Sequence, residues 1–221
     1  MRVKICGITR LDQARAVAGL GATDLGFICV PQSARYIGLE RLATITQGLQ
    51  AENLKVGTVG VFVNTRVPEI VQIVEQTGLK TLQLHGQESF TTCQELRHCL
   101  PHTEIIKAIR IRQPQDLTLA QSYIDQVDSL LLDAYHPQQY GGTGQTLDWE
   151  TLKNFRPSCP WLLAGGINPK NIKIAISLVA PDGIDLSSGV EDRPGIKNLD
   201  RVKDLFDQIA ELPLNRSNQR G

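Results

Sequence analysis

The sequence predicts an α/β protein folded as a single-domain (β/α)8 TIM barrel. Three observations lead there. Short runs rich in β-branched and apolar residues alternate with helix-periodic stretches along the chain. Eight such units share 221 residues, a span that suits a compact barrel. No linker, internal repeat or low-complexity tract divides them. Alternation of this kind implies parallel pairing through crossover helices. A doubly wound open sheet obeys the same alternation and stays open as the competitor.

The strands are expected at 3–8, 24–30, 55–63, 81–84, 104–108, 129–133, 161–164 and 183–186. After the first, "LDQARAVAGLG" carries apolar residues three and four apart and stops on glycine. "PEIVQIVEQTG" repeats the pattern after the third, with Pro68 suited to a first helical turn. Asn198 fits the N-cap of the last helix, "LDRVKDLFDQIA". Residues 1–212 form the barrel domain. The polar, aperiodic residues 213–221, "PLNRSNQRG", read as a flexible C-terminal tail.

Composition narrows the function classes. Apolar residues make up 41% of the chain, enough for a real core. Basic and acidic residues balance at 23 each, so neither nucleic acid nor a membrane surface is an expected partner. No apolar run is long enough to span a bilayer. The opening "MRVKICGITRLD" lacks the apolar core of a signal peptide, so a cytoplasmic protein is expected. Five cysteines, Cys6, Cys29, Cys93, Cys99 and Cys159, are odd in number and irregular in spacing, which points to reduced thiols. "CQELRHCLPH" groups Cys93, His98, Cys99 and His102. Cys93 and His98 are five positions apart, however, which points them to different helix faces, and Pro101 ends the helix before His102, so no metal is expected.

In a barrel, alternate strand residues face inward and the C-terminal strand ends surround the active site. "VKICGIT" then turns Lys4 and Cys6 inward, with Cys6 near the mouth. A buried lysine needs a carboxylate. Asp133, closing "SLLLD", and Asp185, in "GIDLSSG", are the inward candidates, and Lys107 in "IIKAI" is expected as a second interior cation. Lys4, Lys107 and Asp185 also fit a plain paired polar layer. Cys6 fits a buried thiol, and Asp133 fits an ion-pair partner. A thiol and a carboxyl group converging on one mouth favour catalysis.

The glycines mark loops. Gly165 and Gly166 in "LAGGINPKN", with Ser187, Ser188 and Gly189 in "DLSSGVE", follow strands seven and eight, where such barrels hold phosphate. Gly141, Gly142, Thr143 and Gly144 in "YGGTGQTLDW" form either a loop that closes over the mouth or an ordinary turn. Arg35 in "PQSARY" could clamp a carboxylate with two parallel bonds, or simply face solvent.

Taken together, "KICGIT", "VGVFVN", "LQLHGQE", "LLLDAY", "GGTGQTLDW", "LAGGINPKN" and "IDLSSGVEDRPGIK" resemble the phosphoribosylanthranilate isomerase family of tryptophan biosynthesis. The resemblance runs from the first strand to the last helix. It implies a barrel with no cofactor that carries out an Amadori rearrangement of N-(5-phosphoribosyl)anthranilate, as a monomer or homodimer. By it, Cys6 is the general base and Asp133 the general acid. Arg35 faces the anthranilate carboxylate, Asp185 lies near the sugar hydroxyls, and the glycine–serine clusters hold phosphate. Cys29 and Val30 stand where the family often has aromatic residues, and Asn198 where aspartate is usual.

The chemistry agrees with these roles. Ring opening needs a proton on the furanose oxygen, and the resulting Schiff base acidifies the neighbouring C2′–H, which a thiolate can remove. Lys4, two residues from Cys6, is expected to stabilise that thiolate. Three other readings stand beside this one. A sister isomerase of the histidine pathway would place aspartates at both catalytic strand ends. A metal-dependent phosphosugar epimerase would need more than His85 and Asp133. A barrel that only binds phosphate ligands would show no turnover.

Overall fold

Strand β1 (Arg2–Cys6) pairs in parallel with both β2 (Asp24–Ile28) and β8 (Gly183–Leu186), and this double pairing closes the barrel. The computed structural model describes residues 1–133 and 149–212. Between those two strands lie β3 (Gly57–Phe62), β4 (Thr81–Leu84), β5 (Glu104–Arg110), β6 (Ser129–Asp133) and β7 (Trp161–Ala164), each hydrogen-bonded to its sequence neighbours. The open sheet is thereby excluded. The proposed tail at 213–221 and the loop candidates Gly141, Gly142, Thr143 and Gly144 lie outside the described residues.

Helices α1 (Leu11–Gly19), α2 (Leu39–Ala51), α3 (Val67–Thr77), α4 (Phe90–Cys99), α5 (Gln115–Ser122) and α6 (Ile172–Val179) cover the sheet, and α7 (Leu199–Ala210) completes the ring. Pro68 lies in the first turn of α3, which Gly78 ends at φ 67°, a left-handed conformation that costs glycine little. Asn198 caps α7 by accepting a bond from the Arg201 N–H at 2.9 Å. Two connections depart from the simple pattern. Before β7 the described chain makes a 3-10 turn at Trp149–Leu152. After β8 it makes another at Ser188–Val190, then a small antiparallel hairpin of β9 (Glu191–Arg193) and β10 (Ile196–Lys197).

Alternation along the strands sorts side chains into two compartments. Leu25, Phe27, Phe62, Leu82, Ile105, Leu130, Trp161 and Ile184 face the helices and join the main core. Val59, Ile106, Ala108, Leu131, Leu162 and Ala164 form a separate apolar cluster inside the barrel. This phase corrects the expectation for Lys107. Between inward Ile106 and Ala108, Lys107 must point outward, into the sheet–helix layer. There its ammonium bonds Glu88 at 2.8 Å and the carbonyls of Leu84 and Gly86 at 3.1 and 2.8 Å. At the N-terminal end, Arg2 holds Asp24 at 2.8 Å and Glu104 at 2.5 Å, sealing the barrel floor with a charge network.

Candidate active site

The site starts where β1 stops. Gly7 adopts φ 82°, and the N–H groups of Gly7 and Ile8 both donate to the Gly26 carbonyl, at 2.9 and 3.0 Å. The ladder therefore ends at Cys6, two residues earlier than the apolar run in the sequence. Cys6 pairs in register with Gly26 of β2. A Cβ on Gly26 would sit 2.6 Å from the Cys6 sulfur and 3.0 Å from Lys4 Cε. Glycine at 26 is what leaves room for both inward side chains.

Lys4 is fully buried one layer below Cys6. Its Nζ bonds Asp185 Oδ1 at 2.8 Å, and the two residues are register partners on β1 and β8. Burial opposes the ammonium, but Asp185 and Cys6 outweigh it and raise the Lys4 pKa, so the lysine is charged. The expectation that Lys4 eases ionisation of Cys6 holds in sign only. Burial pushes the thiol up, Lys4 and Lys197 pull it down, Asp185 pushes it up again, and the sum lies above the ordinary value. Asp185 offsets part of the Lys4 charge, and burial decides the sum. Cys29 is pushed up to about 12, chiefly by burial and then by Cys6.

Gly7 is also where three predicted groups meet. A Cβ there would lie 2.7 Å from Arg35 Cδ and 3.2 Å from Ser187 Oγ. Arg35 thus crosses the mouth beside Cys6. Its Nε and Nη2 bond Glu191, at 3.0 and 2.6 Å, along one edge of the guanidinium. The Ser187 hydroxyl is buried and has no hydrogen-bond partner among the described residues. A buried hydroxyl without a partner is costly in a finished core; at a mouth it is free to meet a ligand.

The two glycine clusters come together beside it. Gly165 and Gly166 are both left-handed, at φ 91° and 68°. Asn168 and Asn171 donate to the Gly166 carbonyl at 3.1 and 3.0 Å, fixing the loop ahead of α6. A Cβ on Gly189 would collide with the Ile167 carbonyl oxygen, so the β7 and β8 loops touch backbone to backbone there. Ser188 and Gly189 open the 3-10 turn against Ile167 and Asn168, while a Cβ on neighbouring Gly166 would meet nothing within 4 Å. Main-chain N–H groups in such loops form an anion cradle.

Asp133 closes β6, three strands round the barrel from β1. His85 Nε2 lies 3.3 Å from its Oδ2, and Gln83 Nε2 lies 2.8 Å from His85 Nδ1. His85 was weighed only as a metal ligand; the structure makes it the neighbour of the carboxyl group. Among the described residues, no group of three or more His, Cys, Asp or Glu side chains is arranged to hold a metal ion. Sequence reasoning missed Gly26, Gln83, Glu191 and Lys197 as parts of the site. A buried Glu in "GVEDRPGIK" was the one signal available for the last two.

The family model for N-(5'-phosphoribosyl)anthranilate isomerase matches residues 3–208. The chain belongs to that family. It is an isomerase of tryptophan biosynthesis. The N-(5'-phosphoribosyl)anthranilate isomerase of Nostoc punctiforme is 54% identical over 210 residues, spanning 95% of this chain and 99% of the relative. The crystal structure of the Thermotoga maritima phosphoribosyl anthranilate isomerase superposes with a TM-score of 0.85 at 36% identity, covering 96% of this chain and 100% of that one. A phosphoribosyl anthranilate isomerase in complex with reduced 1-(o-carboxyphenylamino)-1-deoxyribulose 5-phosphate superposes with a TM-score of 0.81 at 34% identity, over 96% of this chain and 100% of that one.

Proposed function

We propose that this mouth converts N-(5-phosphoribosyl)anthranilate to 1-(2-carboxyphenylamino)-1-deoxyribulose 5-phosphate by acid–base catalysis. Asp133 gives a proton to the furanose oxygen, and the C1′–O bond breaks to a protonated Schiff base. Cys6, as thiolate, removes the C2′ proton. The electron pair flows to nitrogen and leaves an enolamine, which tautomerises to the ketone. Asp185, facing Lys4 from β8, lies beneath the sugar hydroxyls. Gly165, Gly166, Ser187, Ser188 and Gly189 hold the phosphate. Arg35 meets the anthranilate carboxylate with its remaining guanidinium edge, the other being fixed by Glu191.

The single observation that carries this reading is the crowding at Gly7. One glycine separates the Cys6 base from Arg35 on one side and the unpartnered Ser187 hydroxyl on the other. A substrate with a carboxylate at one end and a phosphate at the other spans those two groups over the sulfur. Five free thiols fit a reducing compartment, and we place the enzyme in the cytoplasm. Among the described residues, no helix is long and apolar enough to cross a membrane.

The test is turnover followed by loss of substrate fluorescence. Cys6→Ser and Asp133→Asn should each fold, bind product, and lose about 100- to 10,000-fold in kcat. Near-normal kcat in either variant would reject the role given to that residue.

A further inference from the structure

Lys197 belongs to β10, outside the barrel, yet its side chain is fully buried. An ammonium carries three donors, and each finds an acceptor on a different part of the mouth. One goes to the carbonyl of Cys6. One goes to the carbonyl of Ser187, at 3.4 Å. One goes to Glu191 Oε1, at 2.7 Å, and Glu191 in turn grips Arg35. The Gly195 N–H closes the hairpin onto the same carboxylate at 3.1 Å.

We propose that Lys197 is a positioning residue of this site: its buried ammonium fixes the Cys6 peptide, the Ser187 loop and, through Glu191, the Arg35 guanidinium in one mutual arrangement. This rests on the roles assigned above to Cys6, Ser187 and Arg35. The geometry has a chemical consequence. The local set Arg35, Glu191 and Lys197 carries one net positive charge next to the base. Around Cys6 stand Lys4 from β1, Asp185 from β8, Cys29 beyond β2, Arg35 from its loop and Lys197 from the hairpin. Of these, Lys4 is offset in part by Asp185. Lys197 thus joins Lys4 in easing formation of the thiolate.

The test uses Lys197→Met, which keeps chain length and removes all three bonds. It is paired with Lys197→Met/Glu191→Gln, which avoids stranding a buried carboxylate. Folding is checked by circular dichroism. The kcat/KM of both should fall by about 100-fold, the cost of a small misplacement of reacting groups. Inhibition by inorganic phosphate should weaken. In Lys197→Met, where the local set loses its net positive charge, alkylation of Cys6 by iodoacetamide, located by mass spectrometry, should slow at neutral pH and its pH profile should move upward; the double variant keeps the charge of Arg35 and should leave the profile nearer wild type. A purely structural lysine would lower the melting temperature and leave the alkylation profile in place. Folded variants with wild-type kcat/KM and an unmoved profile overturn the proposal; so does failure of both to fold, which makes Lys197 a folding residue. Cys6→Ser run alongside keeps the two questions apart. Turnover kept in Cys6→Ser removes the site reading itself, whereas turnover lost there but kept in Lys197→Met removes only the role of Lys197.

Discussion

Replacing Lys4 with Met tests the electrostatics beneath the base. The new side chain has nearly the same length and no charge. Lys4 and Asp185 stand 2.8 Å apart, which at an effective dielectric of about 20 is a gross attraction of about 6 kcal/mol. Desolvation of both ions consumes part of that. Removing one partner of a buried pair typically costs 3 to 5 kcal/mol in net stability. Asp185 keeps 10% exposure and can recruit water, so the low end applies. A loss of about 3 kcal/mol lowers Tm by about 6–12 °C in a chain of this size. The effect on Cys6 has one sign. Lys4 pulls the thiol's ionisation down and Asp185 pushes it up; the substitution deletes the first and leaves the second without its counter-ion. Alkylation of Cys6 should therefore slow at fixed pH, and the rising limb of kcat/KM should move to higher pH. Thermal unfolding by circular dichroism and iodoacetamide kinetics across pH read the two effects separately. A Lys4→Met protein whose alkylation profile coincides with wild type refutes the claim that Lys4 acts on the base at all.

Three further outcomes follow from the same geometry. Gly166→Asp puts bulk and negative charge where the two glycine loops face each other, and should raise KM with little change in kcat; an unchanged KM moves the phosphate elsewhere. Arg35→Ala should weaken substrate more than inorganic phosphate, and equal losses in the two inhibition and binding assays would count against its contact with the anthranilate end. Glu88 carries the pH prediction. Burial raises its pKa, but Lys107 and the backbone N–H groups of Asn64 and Gly86 outweigh it, so the folded value lies below the ordinary 4.5. Its stabilisation is then complete above that value and lost as pH falls through the folded one. Glu88→Gln should lower Tm at neutral pH and flatten its decline between about pH 5 and pH 3; an equally steep acid decline in the variant would assign the acid sensitivity to other groups.

Half of the strands were legible to the residue: 81–84, 129–133, 161–164 and 183–186 are the observed β4, β6, β7 and β8. Most of their ends meet residues that break the pattern, such as Lys80, Asp128, Pro160, Gly165, Asp182 and Ser187. The first strand overran because "KICGIT" stays apolar past Cys6, while the left-handed turn at Gly7 is a backbone event with no marker in composition. Lys107 was placed on the wrong side of the sheet for a related reason. "IIKAI" is apolar on both faces, so alternation has a period but no phase. The phase comes from pairing, which sets Ile106 against Ser129 and Ala108 against Leu131. Lys4 was legible because its neighbours Val3 and Ile5 contrast with Cys6 at the mouth. The bond from Arg35 to Glu191 joins residues 156 positions apart, and no local pattern reports it.

The barrel interior is not the same all round, and the asymmetry matches the two roles. Below Cys6, β1 and β8 supply Lys4 and Asp185, while on β2 Gly26 leaves room beside the sulfur and Asp24, one layer down, pairs with Arg2. Across the barrel, β3, β5, β6 and β7 supply Val59, Ile106, Ala108, Leu131, Leu162 and Ala164, with no charge among them. Cys6, the base proposed above, stands over the charged half, with Lys4 against it. Asp133, the acid proposed above, stands over the hydrocarbon half. His85 approaches it from the side at 3.3 Å. On the roles proposed above, protons flow from β6 into the sugar and out to β1, with the base over the cations and the acid over hydrocarbon, and exchanging Cys6 and Asp133 between strands would reverse that match.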